Sequence, residues 1–172
     1  MIYIGIGSNL GNRIENITKA KYFLDLNGIN ITKSSSYYET LSWPDTNNPK
    51  FLNIVIQSNT KKTPKKLLEI FKLIETKLGR KKTLKNSPRT CDIDIIDFNN
   101  SCKNIVHNGK KIVTPHPRMH ERNFTLIPLY EIKKNWIHPK SKQKIDILLK
   151  KLSSKSISDI KIYQTNDIIT HA

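Results

Sequence analysis

Alternating apolar and polar positions predict four strands and two helices within the first hundred residues. The strand-like runs are rich in β-branched residues, whereas the two helical segments repeat apolar residues every three or four positions. Each helical segment begins at a polar capping residue and ends at a glycine, as helices commonly do. The predicted strands cover residues 2–7, 30–38, 51–58 and 92–98, and the predicted helices cover residues 12–26 and 63–78.

This order of elements predicts an α+β fold with a ferredoxin-like βαββαβ core. In that plan a mostly antiparallel sheet carries both helices on one of its faces. C-terminal strand and helix additions follow the core. They are a short strand at 110–113 and helices at about 123–132 and 145–152. A polar loop is predicted at 40–50, between the second and third strands, and turns are predicted at 99–110.

The length of the chain suits one domain. A chain of 172 residues can bury a core without disulfides or a structural metal. We therefore expect a single domain over 1–172, with its core at about 1–139 and an extension at 140–172. The pattern after residue 152 suits either an added strand or a free tail.

Cysteine usage and the N-terminal sequence bear on the compartment. Cys91 and Cys102 are too few for a disulfide framework or a zinc cluster, which favours a reducing compartment. The apolar run at 2–7 is too short for a signal peptide or a membrane span. We expect a cytoplasmic protein without a membrane partner.

The formal net charge of +16 has two interpretations. It indicates either an anionic partner or a bias in composition, because lysine is frequent throughout the chain. Arginine is more informative, since its planar fork suits phosphate and only 5 arginines occur. Four of them lie in one segment, which is where we expect an anion to bind: Arg80, Arg89, Arg118 and Arg122.

Two aspartates in the fourth predicted strand form the strongest chemical pattern. Asp92 and Asp94 are two residues apart and share a strand face, whereas Ile93 and Ile95 point into the core. At that spacing two carboxylates repel by about 2–3 kcal/mol, which a hard cation would relieve. Oxygen ligands of this kind suit magnesium together with substrate phosphates. The alternative is a pair of solvated aspartates on an exposed strand face.

The loop at 115–124 concentrates prolines, histidines and arginines. His116 and His120 have a spacing that zinc sites use, but the prolines oppose a helix and a third ligand is lacking nearby in the sequence. A rigid cationic clamp for phosphate is the preferred interpretation. The alternative is a loop that only begins the next helix.

The glycine-rich segment at 5–11 invites comparison with nucleotide-binding loops. Its last glycine falls one residue late for G-x-G-x-x-G, and the chain lacks the phosphate-binding loop G-x-x-x-x-G-K-[ST]. We interpret this segment as a tight turn at the edge of the sheet.

Five motifs in order resemble the hydroxymethyldihydropterin pyrophosphokinases of folate biosynthesis. They are Y-I-G-I-G-S-N-L-G at 3–11, S-S-x-Y-x-T at 35–40, F-L-N at 51–53, P-R-x-x-D-I-D at 88–94 and P-H-P-R-M-H-E-R-x-F at 115–124. The resemblance extends over about residues 2–139, and the fold of that family agrees with the predicted strand order.

The resemblance implies an ATP-dependent diphosphotransferase. Such an enzyme transfers pyrophosphate from ATP to the hydroxymethyl group of 6-hydroxymethyl-7,8-dihydropterin and releases AMP. By resemblance, two Mg²⁺ ions would be held by Asp92 and Asp94, with Arg89 and Arg122 as further catalytic residues. The expected partners are ATP and the pterin, without nucleic acid, and we expect a monomer.

The resemblance also assigns the two substrate sites. The ATP site would comprise Glu75, Lys82, Arg89, Lys111, His116 and Arg122. The pterin site would comprise Thr40, Leu41, Trp43, Phe51, Asn53 and Phe124, with Phe51 and Phe124 on either side of the pterin ring.

The chain departs from the family pattern in two loops. The basic loop at 80–87 is a residue shorter than in some relatives, and Asn86 and Ser87 stand where an aromatic residue is frequent. Lysine stands at Lys82 and Lys111 where arginine is frequent, and the segment 41–43 lacks a proline after the threonine. These departures concern how the mobile loops close over ATP.

Two alternatives come from other functional classes. The RNA-recognition fold uses the same order of elements and would suit the positive charge, but the segment 51–56 lacks its K/R-G-F/Y-G/A-F-V-x-F/Y pattern. The second alternative is a ferredoxin-like protein that binds nucleotide without catalysis.

Overall fold

The computed structural model describes residues 1–81, 84, 86–107 and 110–164. The strands are β1 (Ile2–Ser8), β2 (Asn30–Ser34), β3 (Tyr38–Thr40), β4 (Phe51–Asn59), β5 (Asp92–Phe98), β6 (Lys103–His107), β7 (Lys110–Thr114) and β8 (Ile160–Ile162). The helices are α1 (Arg13–Leu26), α2 (Pro64–Lys77), α3 (Asn123–Ile132), α4 (Ile145–Lys150) and α5 (Ser154–Ser158), with a 3₁₀ turn at Met119–Glu121.

The main sheet is antiparallel, as predicted for this α+β chain. Its strands follow the order β5-β1-β4-β3-β8, and β2 also pairs with β4. Every strand pairing within it is antiparallel. The sheet therefore places β1 between β4 and β5, the two strands that carry the predicted site residues Asn53, Asp92 and Asp94.

The two faces of the sheet pack against different helices. One face forms a core with α1 and α2 that includes Ile4, Ile54 and Phe71. The other face packs against α3 and α4 through Val55, Ile96 and other residues. Because each face removes a set of large apolar side chains from water, the sheet is held rigidly between two helical layers.

The helix ends follow the predicted capping chemistry. The Asn12 side chain accepts a hydrogen bond from the Glu15 N–H at 3.1 Å, and the Thr63 hydroxyl accepts one from the Lys66 N–H at 3.3 Å. Gly79 follows α2 with a φ of +83°, a left-handed conformation that glycine adopts without steric cost. The predictions for α1 and α2 are confirmed to within a residue or two.

The predicted strand at 30–38 is in fact two short strands. The Ser36 N–H and hydroxyl both donate to the Glu131 carboxylate on α3, at 3.0 and 2.8 Å. This diverts the backbone from regular pairing with β4 and separates β2 from β3. The Tyr38 hydroxyl donates to the same carboxylate at 2.9 Å, and burial together with Glu131 raises the pKa of Tyr38 to about 12.

Two further segments differ from the prediction. The stretch at 99–110 was predicted as turns, but it contains β6, which pairs with β7. The tail that suited either a strand or a free end forms α5 and β8, and β8 pairs with β3 at the edge of the main sheet. Within the described ranges, no helix combines the length and apolar character needed to cross a membrane.

Candidate active site

A cleft of about 450 Å³ opens over β1, β4 and β5 beside the first turn of α3. Most predicted site residues line it, although they come from distant parts of the chain. Those residues are Thr40, Leu41, Trp43, Phe51, Asn53, Arg89, Asp92, Asp94, His116, Arg122 and Phe124. The structure therefore brings the predicted phosphate and pterin residues together in one cavity.

Asp92 is held at one end of the cleft by two arginines. Arg80 Nη1 lies 2.6 Å from Asp92 Oδ1, and Arg89 Nη2 lies 2.8 Å from Asp92 Oδ2. Although burial favours the neutral acid, the guanidinium groups of Arg89 and Arg80 hold the pKa of Asp92 below its ordinary value. Asp92 is therefore an ionised, fixed carboxylate that also orients two cations.

Asp94 has a different environment on the same strand. Its side chain is exposed to the cleft, whereas Ile93 and Ile95 on either side are buried, as the alternation predicted. Enclosure by the surrounding protein, together with the negative charge of Asp92, raises the pKa of Asp94 to about 6. A carboxylate whose ionised form is disfavoured in this way would be stabilised by an added cation.

Glu75 lies behind the cleft and does not line it. Its carboxylate is only 2% exposed and accepts a hydrogen bond from the Ile93 N–H at 2.9 Å. It also lies 2.6 Å from Lys72 Nζ and 2.7 Å from Arg80 Nη1. Glu75 thus connects α2 to β5 and orients two cations that do line the cleft.

The loop after β7 supplies further positively charged side chains to the cleft. His116, Arg118 and Arg122 all line the cleft. The His116 N–H donates to the Ile96 carbonyl at 2.8 Å, which fixes this loop to the end of β5. Asp94 and Arg122 are close enough to influence each other electrostatically, so the cations of this loop share the cleft with the two carboxylates of β5.

The His116 imidazole is expected to stay neutral throughout the physiological pH range. Burial and the positive charges of Arg122 and Arg118 lower the pKa of His116 from 6.5 to about 4. The folded state disfavours the protonated form of His116. The free energy of unfolding therefore decreases as the pH falls from 6.5 towards 4. An NMR titration should show no His116 transition between about pH 5 and pH 8; a midpoint near 6.5 would contradict the burial.

Two aromatic rings and an amide form the other end of the cleft. Phe51 comes from β4 and Phe124 from α3, and both line the cavity. Asn53 Nδ2 donates to Thr40 Oγ1 at 3.0 Å, which leaves the amide oxygen of Asn53 to read a polar ligand edge. Together these groups suit a flat, polar heterocycle.

An arginine side chain lies over each of the two phenyl rings. Arg89 Cζ lies 5.1 Å from the centroid of the Phe51 ring, and Arg122 Cζ lies 5.3 Å from the centroid of the Phe124 ring. Cation–π attraction at these distances orients the guanidinium groups. The aromatic end and the charged end are therefore physically joined.

Asn9 ties two of the surrounding loops together. Its amide donates to Ser42 Oγ at 3.2 Å and to the Pro49 carbonyl at 3.1 Å, while its Oδ1 accepts from the Arg89 N–H at 2.7 Å. The residue is buried at the end of the glycine-rich segment. It holds the loop at 41–50 against the backbone of Arg89.

The glycine-rich segment does end in a tight turn, where Gly11 has a φ of +69°, but the predicted position at the sheet edge is wrong. Gly5 and Gly7 lie within β1, which is an interior strand, and both line the cleft. A Cβ on Gly7 would lie 2.9 Å from Asn53 Oδ1 and 3.5 Å from Phe51. Glycine is needed at this position because Asn53 and Phe51 pack directly against the backbone there.

Gly7→Ala is therefore expected to weaken binding of the heterocycle about 10-fold, since displacing Asn53 costs about one hydrogen bond. Gly5→Ala is the matched control, because its Cβ would meet the flexible Ile96 side chain at 3.3 Å. Equilibrium binding of the pterin to both variants tests this. Equal affinities for the two variants would contradict the role of Gly7.

Some residues fall outside the predicted set or outside the cavity. Lys72 lines the cleft although the sequence predicted no site role for it, and Arg80 lines it as one of the four arginines where we expected an anion to bind. The spacing of Lys72 and Glu75 by three residues on α2 was a usable signal, because such residues share a helix face. Lys82 lies outside the described residues, and Lys111 belongs to β7.

The donor set determines which metal the cleft would suit. Among the described residues, no three His, Cys, Asp or Glu side chains come together as a metal-binding group. Two carboxylates alone leave most positions around a cation to other oxygen donors. That arrangement fits magnesium, which keeps water and substrate phosphates as ligands.

Comparison with known sequences identifies the family. Residues 3–134 match the family described as 7,8-dihydro-6-hydroxymethylpterin-pyrophosphokinase (HPPK). The 2-amino-4-hydroxy-6-hydroxymethyldihydropteridine pyrophosphokinase of Aquifex aeolicus is 40% identical over 80% of this chain and 83% of its own length. The folic acid synthesis protein fol1 of Pneumocystis carinii is 38% identical over 80% of this chain, which spans only 18% of that longer protein.

Solved structures agree on the fold. HPPK-DHPS of Plasmodium falciparum superposes with a TM-score of 0.69 at 15% identity, over 87% of this chain and 44% of that one. The sequence match covers well over half of the chain, and the fold is shared. The chain therefore belongs to the 7,8-dihydro-6-hydroxymethylpterin-pyrophosphokinase family.

Proposed function

We propose that the chain transfers pyrophosphate from ATP to the hydroxymethyl group of 6-hydroxymethyl-7,8-dihydropterin, which gives the pterin diphosphate and AMP for folate biosynthesis. Family membership supports the reaction, since the family uses ATP as co-substrate. One structural observation supports these particular residues. A single cleft joins an Asp–Arg cluster to a pair of aromatic rings through Arg89 and Arg122.

Positioning is the main contribution of the pterin end. Phe51 and Phe124 would hold the two faces of the pterin ring, and Asn53 would read its polar edge. The hydroxymethyl oxygen would then be directed towards the charged end of the cleft. Holding two reactants in this way supplies much of the rate enhancement that phosphoryl transfer requires.

Charge neutralisation is the main contribution of the other end. The hydroxymethyl oxygen forms a bond to the β-phosphorus, the bond from that phosphorus to the oxygen of AMP breaks, and the hydroxyl proton is released. Arg89 and Arg122 would bind the phosphates, with His116 as a neutral hydrogen-bonding partner. Arg80 and Lys72 line the same cleft and add positive charge.

We further propose that Asp92 and Asp94 hold two Mg²⁺ ions. Bound there, magnesium would neutralise charge on the triphosphate and on the transition state. Asp94 offers an exposed carboxylate whose raised pKa makes a cation favourable. The carboxylate oxygens of Asp92 are contacted by Arg80 and Arg89 in the structure. When Mg²⁺ and ATP bind, these arginines would shift from Asp92 towards the phosphates.

Four broader properties complete the proposal. The order β5-β1-β4, with β2 on the far side of β4, supports a ferredoxin-like core. Packing of α4 with α3, and of β8 with β3, supports one pyrophosphokinase domain over 1–172 with its core at about 1–139. We also propose a cytoplasmic location and a monomer that binds neither nucleic acid nor membrane.

The decisive experiment incubates the protein with ATP, magnesium and 6-hydroxymethyl-7,8-dihydropterin and follows AMP by chromatography. AMP should appear only when the pterin and magnesium are both present. ADP in its place would mean transfer of a single phosphoryl group and would overturn the attack on the β-phosphorus. ATP binding without any product would instead indicate a nucleotide sensor.

A further inference from the structure

We propose that residues 153–163, here called the C-terminal strap, position both walls of the pterin end of the cleft. This inference rests on the proposed function. The strap contains α5 and β8, and it contacts the chain beside Thr40 on one wall and beside Phe124 on the other. It therefore acts as a positioning element for pterin binding.

The first wall is β3, which the strap extends. β8 pairs with β3 so that Thr40 lies opposite Ile160, and the Tyr163 N–H donates to the Tyr37 carbonyl at 2.8 Å. Thr40 lines the cleft and accepts the amide hydrogen bond from Asn53. Its backbone is consequently held between β4 and β8, and β8 is the outer neighbour.

An arginine extends this contact to the loop at 41–50. Arg13 Cζ lies 5.4 Å from the centroid of the Tyr163 ring. Arg13 Nη1 also donates to Glu39 Oε1 and to the Lys50 carbonyl, each at 2.9 Å. Glu39 lies in β3 just before the loop and Lys50 is the last residue of the loop, so Tyr163 of the strap contacts the arginine that holds both flanks of the loop.

The second wall is the first turn of α3. Asn123 Nδ2 donates to the Ser156 carbonyl in α5, while Asn123 Oδ1 accepts from the Phe124 N–H at 2.6 Å. Asn123 lies between Arg122 and Phe124, both of which line the cleft. One side chain thus links the strap to the residue proposed to stack on the pterin.

Loss of these contacts should act mainly on pterin binding. Thr40 and Phe124 would remain in the cleft, but both would have to be ordered when the pterin binds, which lowers affinity. The Asp–Arg cluster makes its own contacts through Glu75 and β5, away from the strap. Loss of the strap contacts should therefore weaken binding of the pterin and leave binding of ATP nearly unchanged.

Two substitutions in the full-length chain test this. Asn123→Asp keeps the acceptor for the Phe124 N–H but removes the donor to Ser156, and Tyr163→Ala removes the ring beside Arg13. Each should raise the KM for the pterin about 5- to 10-fold while kcat and the KM for ATP change less than about 2-fold. Ile162→Ala is the matched control, since that side chain is 61% exposed on β8.

The outcomes separate failure of this inference from failure of the proposed function. Equal increases in the KM values for both substrates, or a lower Tm with an unchanged KM for the pterin, would overturn the positioning role. Asn123→Gln restores a donor and should recover part of the lost affinity if the hydrogen bond matters. If Phe124→Ala also leaves the KM for the pterin unchanged, the pterin site itself is misplaced.

Discussion

Asp94→Asn should lower the rate of AMP formation by about 1,000-fold or more, which is the largest effect expected for any single substitution. The change removes the charge of Asp94, the more exposed of the two aspartates that line the cleft, while its size and strand position remain. Loss of a cation ligand at a phosphoryl-transfer centre removes several kcal/mol of transition-state stabilisation. Initial rates with saturating ATP and pterin measure the effect directly.

The same substitution should not lower the Tm. The folded state raises the pKa of Asp94 to about 6, above its ordinary 3.8, so the stability that this group contributes is present at low pH and lost as the pH rises through 6. At pH 8 without magnesium the ionised carboxylate is therefore unfavourable, and asparagine removes it. A fall in Tm would mean that Asp94 has a structural role that its environment does not indicate.

Asp92→Asn supplies the contrast on the same strand. Asp92 is paired with Arg80 and Arg89, so its neutralisation should reduce both activity and Tm. Glu15→Gln on α1 alters only an exposed ion pair with Lys19 and should change neither. Near-normal turnover by Asp94→Asn would refute the metal assignment, whatever the behaviour of Asp92→Asn.

Local patterns made the Asp pair and the helix ends predictable. Side chains two apart on a strand share a face, so the exposure of Asp94 beside buried Ile93 followed from the sequence alone. The caps Asn12 and Thr63 were equally readable, because they depend on residues only three positions away. Such inferences need no knowledge of the rest of the fold.

Long-range polar contacts were not predictable from pattern. Glu131 binds Ser36 and Tyr38, more than ninety residues away, and this contact divides the predicted second strand. The pairing of β8 with β3 likewise joins segments that are far apart in the sequence, with Tyr38 opposite Ile162. Neither contact produces a periodic signal, because each involves short segments with mixed polarity.

The sequence predicted most of the residues that line the candidate site, but few of the contacts between them. Motifs of the family identified Asp92, Arg89 and Phe124, but not the ion pairs of Glu75 with Lys72 and Arg80. The contact between Gly7 and Asn53 was not predicted, because it depends on the register between β1 and β4. Register is a property of the assembled sheet and is set by both strands.

Phe124→Ala should weaken pterin binding by about 5- to 150-fold, because stacking of a heterocycle on an aromatic ring contributes about 1–3 kcal/mol. ATP binding should weaken much less, by roughly 3-fold, since the Phe124 ring only orients Arg122 from 5.3 Å. Separate titrations with the pterin and with ATP give the two affinities. Tyr22→Ala, which removes a 61% exposed ring on α1, serves as the aromatic control and should affect neither.

The ratio of the two losses is more informative than either loss alone. A large loss for the pterin with a small loss for ATP places the ring in the pterin site and the guanidinium in the phosphate site. Equal losses would mean that the Arg122–Phe124 contact acts as one unit, so that stacking is not the main role of the ring. Phe51→Ala should follow the same ratio, because Arg89 lies over the Phe51 ring in the same way, at 5.1 Å.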